Sequence, residues 1–420
     1  MTYAILATGS LVFLAHMFTF LFQKTKIPDV LPLMAIGIIA GPIAGLITPE
    51  SFGEIGSVFS VVAMIIILFY SGLELKLSTL RDSMVSGARL VTVGFIFTVA
   101  LTAIVAFSFL GFSFLEALLL GSIIGGTSSA IVIPIVGHLA ISQNTKTTLI
   151  LESTFSDVYC IVFALAFLKA IIAHNLEPGI MLGQIVGSFV LATIIGGGAA
   201  FFWSTILTKV RGLENSVFTT PAFVFLTYGV AELLGYSGGI AAFSFGVVLG
   251  NIHSFPVPFA ERSLMAQPIK LNETERLFLG EIVFLLKTFF FVYIGLSMQL
   301  NNLGYLVVGT LLSIAILAAR VPVIWLSLPK STPRYDVGVV LTMMPKGLAA
   351  AVLASLCVDA NIGIAGKIQE ITYAVILSSI ILSAIFVFLG EKRLLDKGFA
   401  SLFSKFSDGA NTGSTKSETP

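Results

Sequence analysis

The residues best able to do chemistry lie where their neighbours are least able to solvate them. Asp157 and Glu152 sit within an apolar run at about 147–172. Asp157 is about ten residues from the charged end of that run, or roughly 15 Å at 1.5 Å per residue, which is the middle of a bilayer core about 30 Å thick. Ser153 precedes Asp157 by four residues and shares its helix face; Glu152 and Ser156 form a second i,i+4 pair about 100° round. Two carboxylates on different faces suit two jobs, with Asp157 and Ser153 lining a cavity and Glu152 turned to a neighbouring helix. Lys287, Arg320 and Lys346 also fall inside apolar runs, and Glu74 lies near the end of another. An ionisable group in mid-membrane costs several kcal/mol and marks a functional position, the alternative being an ion pair that locks two helices. Two runs are interrupted near their centres, one by Gly125-Gly126-Thr127-Ser128-Ser129 and one by Met344-Pro345-Lys346-Gly347. Gly pairs and Pro release backbone groups from the helical ladder, which is tolerated at membrane depth only where protein or a water-filled cavity receives them. Paired interruptions in two halves of a chain point to a binding site at the membrane centre.

The elements that must hold these groups follow from composition. Of 420 residues, 56% are hydrophobic and 11% charged, with mean hydropathy +1.02. A soluble surface needs roughly a quarter or more of its residues charged, so the chain reads as an all-α polytopic membrane protein. The net charge of +1 leaves no nucleic-acid footprint. The two cysteines lie in apolar stretches and offer no disulfide framework. Apolar runs of spanning length fall at about 3–22, 28–48, 55–74, 87–110, 114–137, 147–172, 179–207, 216–235, 237–252, 278–298, 303–328, 336–358 and 369–389. With the N-terminus outside, eighteen of the 23 Lys and Arg residues fall in cytoplasmic loops or the C-terminal segment, and Lys169 and Lys367 alone fall at outer ends. This is the positive-inside bias, and it sets the C-terminus in the cytoplasm. The runs at 87–172 and 303–389 then enter the membrane in opposite senses and read as inverted repeats. The first run lacks the flanks of a cleavable signal peptide. The loop at 253–277 is expected on the cytoplasmic membrane surface, and the segment from 399 to 420 is expected as a short disordered tail. Glu116 and Glu232 read as solvated interfacial acids, and the Phe289–Phe291 cluster as packing surface.

Leu151-Glu152-Ser153-Thr154-Phe155-Ser156-Asp157, preceded by Gly126-Thr127-Ser128-Ser129-Ala130, resembles the core of the monovalent cation/proton antiporter superfamily. Gly72-Leu73-Glu74, Lys287 before Phe290-Phe291-Val292-Tyr293-Ile294-Gly295, Arg320, and Pro345-Lys346-Gly347 extend the resemblance over residues 1–398. It implies a transmembrane domain of about 13 helices, with a dimerisation part, a core part, two crossing discontinuous helices, and usually a homodimer. It also implies that Asp157 binds cation or proton, that Thr127 and Ser153 supply oxygen ligands, and that Glu152 pairs with Arg320. Lys346 matches a basic residue at the second crossing. Lys287 resembles a lysine that pairs with an acid in electrogenic members. Ser156 departs from the pattern, because the residue before the aspartate is Asp, Asn or Gln in the known branches. No nucleotide-binding segment of the glutathione-gated potassium-efflux type is read after the last run.

One carboxylate that holds either a dehydrated cation or a proton couples the two flows by competition. Hard oxygen ligands from Asp157, Ser153, Thr127 and a carbonyl at the break would replace lost hydration, with Ser156 close by and Gly125, Gly126, Pro345 and Gly347 shaping the breaks. Lys287, Lys346 and Glu74 would modulate the charge. The expectation is a Na⁺ or Li⁺/H⁺ antiporter, electroneutral because one titrating acid faces the cavity, without a cofactor, in a prokaryotic inner membrane. A K⁺/H⁺ antiporter is the alternative, followed by a sodium-coupled symporter and a membrane sensor. An intramembrane enzyme is disfavoured, since the four histidines are scattered and none lies near Asp157 in sequence.

Overall fold

The fold is described from a computed structural model, which covers residues 2–25, 28–48, 53–75, 84–173, 178–212, 216–254, 270–298 and 303–407. Each of the thirteen apolar runs contains a helix. In chain order these are α1 (Thr2–Thr25), α2 (Val30–Ile38), α3 (Gly53–Glu74), α4 (Met84–Phe109), the pair α5 (Phe114–Ile123) and α6 (Ser129–His138), α7 (Gln143–Ala173) and α8 (Pro178–Val210). There follow α9 (Thr219–Leu233), α10 (Gly238–Gly250), α11 (Glu273–Ser297), α12 (Leu303–Ser327), the pair α13 (Arg334–Thr342) and α14 (Leu348–Asp359), and α15 (Ala365–Glu391). Among the described residues, six of these helices, including α4, α7, α12 and α15, are long and apolar enough to cross a membrane unbroken.

Local chemistry sets several boundaries. Ser113 and Glu116 form a capping box that starts α5, so Glu116 is a helix cap. Asn272 and Glu275 do the same for α11, which therefore starts earlier than its apolar run. Arg211 donates to both oxygens of Glu275, at 2.8 and 2.6 Å, and this contact pushes the Arg211 guanidinium above its ordinary range. Gly235, with φ of +82°, makes the turn between α9 and α10 that no L side chain would readily adopt. Glu232 accepts the Gly238 amide at 2.7 Å and so also serves as a cap.

The helices pack as two groups. One gathers α4, α5, α7, α12, α14 and α15 around the two interruptions; in it α4, α5/α6 and α7 repeat the long–broken–long order of α12, α13/α14 and α15. The other packs α3, α8, α9 and α10, with α2 laid along α11. Gly246 of α10 lies directly on the Phe69 carbonyl of α3, and a Cβ there would overlap it. That approach draws Phe69, Phe245, Leu249 and Trp203 into a separate apolar core.

One expectation changes. The C-terminal segment is ordered at its start: α16 (Asp396–Leu402) is followed by turns as far as Ser407, with Phe399, Phe403 and Phe406 all buried. Phe399 packs on Gly338 of α13, while Arg334 donates to the Phe406 carbonyl at 3.2 Å and the Ser404 carbonyl at 3.1 Å. Three aromatic anchors at i, i+4 and i+7 spacing are the physical reason, an apolar stripe inside a segment that reads as polar by its ends. The rest of the expected tail, 408–420, and most of the surface loop, 255–269, lie outside the described residues.

Candidate functional site

Both interruptions leave backbone groups without helical partners, and each supplies them to the other. The first spans Ile124 to Ser128 between α5 and α6; the second spans Met343 to Gly347 between α13 and α14. The Ser128 amide donates to the Pro345 carbonyl at 2.7 Å. The Lys346 ammonium, 2% exposed, donates to the Gly126 carbonyl at 2.6 Å. The Lys346 amide is taken by Ser379 Oγ of α15 at 2.9 Å. Gly347 lies against the Ser128 side chain with no room for a Cβ. The two breaks thus cross in direct contact, and their freed groups are satisfied inside protein as burial demands.

α7 runs past this crossing and presents its polar residues to it. Gly126 sits on Cys160 and on the Ser156 carbonyl, where a Cβ would stand 2.7 Å from the Cys160 sulfur. Ser156 Oγ accepts from the Thr127 amide at 2.9 Å and also lies 3.2 Å from the Thr127 and Ser153 carbonyls. Thr127 Oγ1 is 3.3 Å from the same hydroxyl. Ser156 therefore brackets the break to α7, a task for which a neutral hydroxyl suffices and another carboxylate would add uncompensated charge. Asp157 Oδ2 accepts from Ser129 Oγ, the first residue of α6, at 3.1 Å. Asp157 keeps partial exposure, whereas Glu152, Ser153, Arg320 and Lys346 are buried. Ser153 is fully buried and its hydroxyl donates to the Ile150 carbonyl at 3.1 Å.

The remaining charges are arranged in pairs. Arg320 meets Glu152 in a two-pronged contact, Nη1–Oε1 2.6 Å and Nη2–Oε2 2.7 Å, and its Nε donates to the Val340 carbonyl at 2.9 Å. This fork joins α7, α12 and α13. Lys287 of α11 is held by Asp29 at the start of α2, 2.9 Å away, and Thr19 of α1 donates to the same carboxylate at 3.4 Å. Glu74 pairs with Arg276 at 2.6 Å on a half-exposed surface, apart from the buried cluster. Among the described residues no salt bridge reaches Asp157 or Lys346. Ser129 and Asp29 are the two residues that reading the sequence did not single out. Ser129 closes the Thr-Ser-Ser run at the first break, so its position was visible although its contact was not. Asp29 follows Pro28 at the start of an apolar run, an ordinary helix-start signature with nothing to announce a lysine partner 258 residues away.

No group of three or more His, Cys, Asp or Glu side chains suited to a transition or divalent metal occurs among the described residues. The arrangement offers instead one partly exposed carboxylate, hydroxyl oxygens beside it, the Lys346 ammonium on the Gly126 carbonyl, and a Glu152–Arg320 pair that compensates itself.

The chain aligns over 238 residues at 28% identity with the K(+)/H(+) antiporter NhaP2 of Shewanella oneidensis, covering 54% of this chain and 40% of that one. It aligns at 28% identity over 316 residues with the K(+)/H(+) antiporter subunit KhtU of Bacillus subtilis, covering 67% and 75%. The alignment thus takes in well under half the length of NhaP2. The structure of the sodium proton antiporter MjNhaP1 from Methanocaldococcus jannaschii at pH 8 superposes with a TM-score of 0.75 over 94% of this chain and 99% of that one, at 22% identity. The model of the transmembrane sodium/hydrogen exchanger family matches residues 10–392. With that match over nearly the whole chain, and the same fold in a solved antiporter, the protein belongs to the transmembrane sodium/hydrogen exchanger family.

Proposed function

We propose that the protein is a secondary antiporter that exchanges a monovalent cation for a proton at Asp157. The observation that carries this reading is the contrast within α7: Glu152 is sealed in a fork with Arg320, while Asp157, five residues on, keeps partial exposure, accepts from Ser129 and has no salt bridge among the described residues. A carboxylate so placed takes up a proton or a cation and cannot hold both, so uptake of one from either side releases the other. In this reading the cation is met by Asp157 and by hydroxyls at the break, with Ser129 added to Thr127 and Ser153. Ser153 and Thr127 would turn from their present partners to reach it. The exchange is electroneutral, because one acid, Asp157, serves both the cation and the proton. Ser156 supplies no further acid. Na⁺ or Li⁺ fits a compact set of hydroxyl and carboxylate oxygens. K⁺ is the second reading, and the names of the NhaP2 and KhtU relatives favour testing it with equal weight. The assembly is a homodimer in a prokaryotic membrane with the C-terminus in the cytoplasm, as the basic residues of the loops suggest.

The test is reconstitution of the wild type and Asp157→Asn in liposomes that contain a pH-sensitive dye. Cation-dependent proton movement with Na⁺, Li⁺ or K⁺, lost in the variant, is expected. A voltage-sensitive dye should stay silent during exchange. Folded wild type that moves no protons with any of the three cations between pH 6 and 9 would sink the reading.

A further inference from the structure

Beside the first break lies a small cavity of about 10 Å³, walled by α4, α7, α12 and residues of both breaks. That is about the smallest volume that admits a single water molecule. On α7 its wall is Glu152 and Ser156, one above the other at i,i+4 spacing. Asp157, about 100° round the same helix, does not line it.

Three charged residues meet at this cavity: Glu152, Arg320 and Lys346. Glu152 and Arg320 satisfy each other through their fork. Lys346 stands differently. One of its three N–H donors goes to the Gly126 carbonyl, and among the described residues no carboxylate lies within salt-bridge distance of the ammonium. A buried ammonium is costly unless its other donors are also met. The carboxylates whose fields reach it are Glu152 and Asp157.

The cavity wall supplies acceptors for those donors. Each Glu152 oxygen takes one Arg320 N–H and keeps a further lone pair. Thr98 Oγ1 gives its proton to the Gly94 carbonyl at 2.8 Å and keeps its own lone pairs. N–H donors and lone pairs around a space of this size hold a buried water, which takes about three such partners. A metal cation there would instead meet two positive side chains, Arg320 and Lys346.

We infer that this cavity is a water site, and that the bound water ties the Lys346 ammonium to Glu152 and Thr98. Lys346 is thereby held towards the fork and does not close on Asp157, where it would take the cation's place. Thr98 is then a positioning residue for cation uptake, acting through the water and Lys346 without touching the cation. The effect on uptake rests on the reading of Asp157 as the exchange site; the water site does not.

Two measurements test this. The first is a cryo-EM map of the wild type in lipid nanodiscs, at a resolution that shows ordered water. Density in the cavity within hydrogen-bond distance of Lys346 Nζ and Glu152 is expected; a dry cavity, or a water that does not touch Lys346, overturns the inference. The second is the half-saturating cation concentration of Thr98→Val and Thr98→Ser. Valine keeps the shape of threonine without the hydroxyl and should raise that concentration about twofold to tenfold, the worth of one hydrogen bond. Serine keeps the hydroxyl and should match the wild type. Combined with Lys346→Gln, Thr98→Val should have no further effect, since no ammonium is left to close on Asp157. A packing role alone would make serine as damaging as valine, or let valine act equally beside Lys346→Gln. Either result overturns the inference, as does a valine variant that takes up cation like the wild type. If Lys346→Gln does not assemble, the map and the valine–serine pair decide. Wild type that shows the water but exchanges no cation supports the water site and counts against the reading of Asp157.

Discussion

Breaking the Arg320–Glu152 fork should damage the fold more than any other single change to the polar interior. Their side chains are 7% and 4% exposed. Glu152→Leu leaves a buried guanidinium with the Val340 carbonyl but without its counter-charge, and Arg320→Met leaves a bare carboxylate. Loss of one partner from a buried pair costs about 3–5 kcal/mol, because the other is left as an uncompensated buried charge. At about 2 °C per kcal/mol, the low end that suits a large chain, the melting midpoint falls by about 6–10 °C. Glu152→Leu with Arg320→Met removes both charges. That double variant should recover most of the loss, remaining about 1 kcal/mol below wild type because the Val340 carbonyl loses its donor. The assay is thermal melting in detergent followed by size-exclusion chromatography, as a double-mutant cycle. A coupling near zero, with the double variant as poor as the sum of the singles, would refute the argument that charge compensation is what the fork contributes. So would single variants that melt with the wild type.

Other outcomes follow from the same geometry. Ser129→Ala removes the hydroxyl on Asp157 and should raise the half-saturating cation concentration several-fold, about 1 kcal/mol in binding, with melting unchanged; an unaltered cation response would remove Ser129 from the site. Because protons and cation compete for Asp157, falling pH must weaken cation uptake, by about tenfold per unit below the titration of that carboxylate and not at all above it; a half-saturating concentration that ignores pH would exclude a shared site. Phe399→Ala empties the contact on Gly338 and should cost about 3–5 kcal/mol; limited proteolysis should then cleave the released C-terminal segment, and a cleavage rate equal to wild type would show that the segment is not held by Phe399.

What could be read in advance was whatever the bilayer makes expensive. Asp157, Glu152, Arg320, Lys287 and Lys346 stand out because a charge within twenty apolar residues has no ordinary explanation, and the Gly125–Gly126 and Pro345–Gly347 interruptions stand out for the same reason applied to backbone. Partner choice was less legible. Lys287 can reach any acid that packing brings near, and that Asp29 meets it depends on α2 lying along α11, a fact of helix geometry with no local signature. Ser129 and Thr127 are both hydroxyls in one short break, and the turn of the chain between them decides which one meets Asp157 and which meets Ser156. Glu74 resembled a buried acid by its position in a motif, yet it falls at the last residue of α3, where Arg276 and the surface take it up. The ordered start of the C-terminal segment was hidden by the polar composition that follows it.

The shared hydrogen bonds of the two breaks also constrain how the molecule is made. Gly126 and Lys346 are 220 residues apart. At about 5–20 residues per second of synthesis, the first break is in place roughly 10–45 s before its partner exists. During that interval the Ser128 amide and the Gly126 carbonyl have no second break to bond with, in a medium that offers no substitute at depth. The first half-repeat is therefore finished late, by docking rather than by insertion. Nascent chains stopped between α7 and α13 should be the ones that quality control in the membrane removes first.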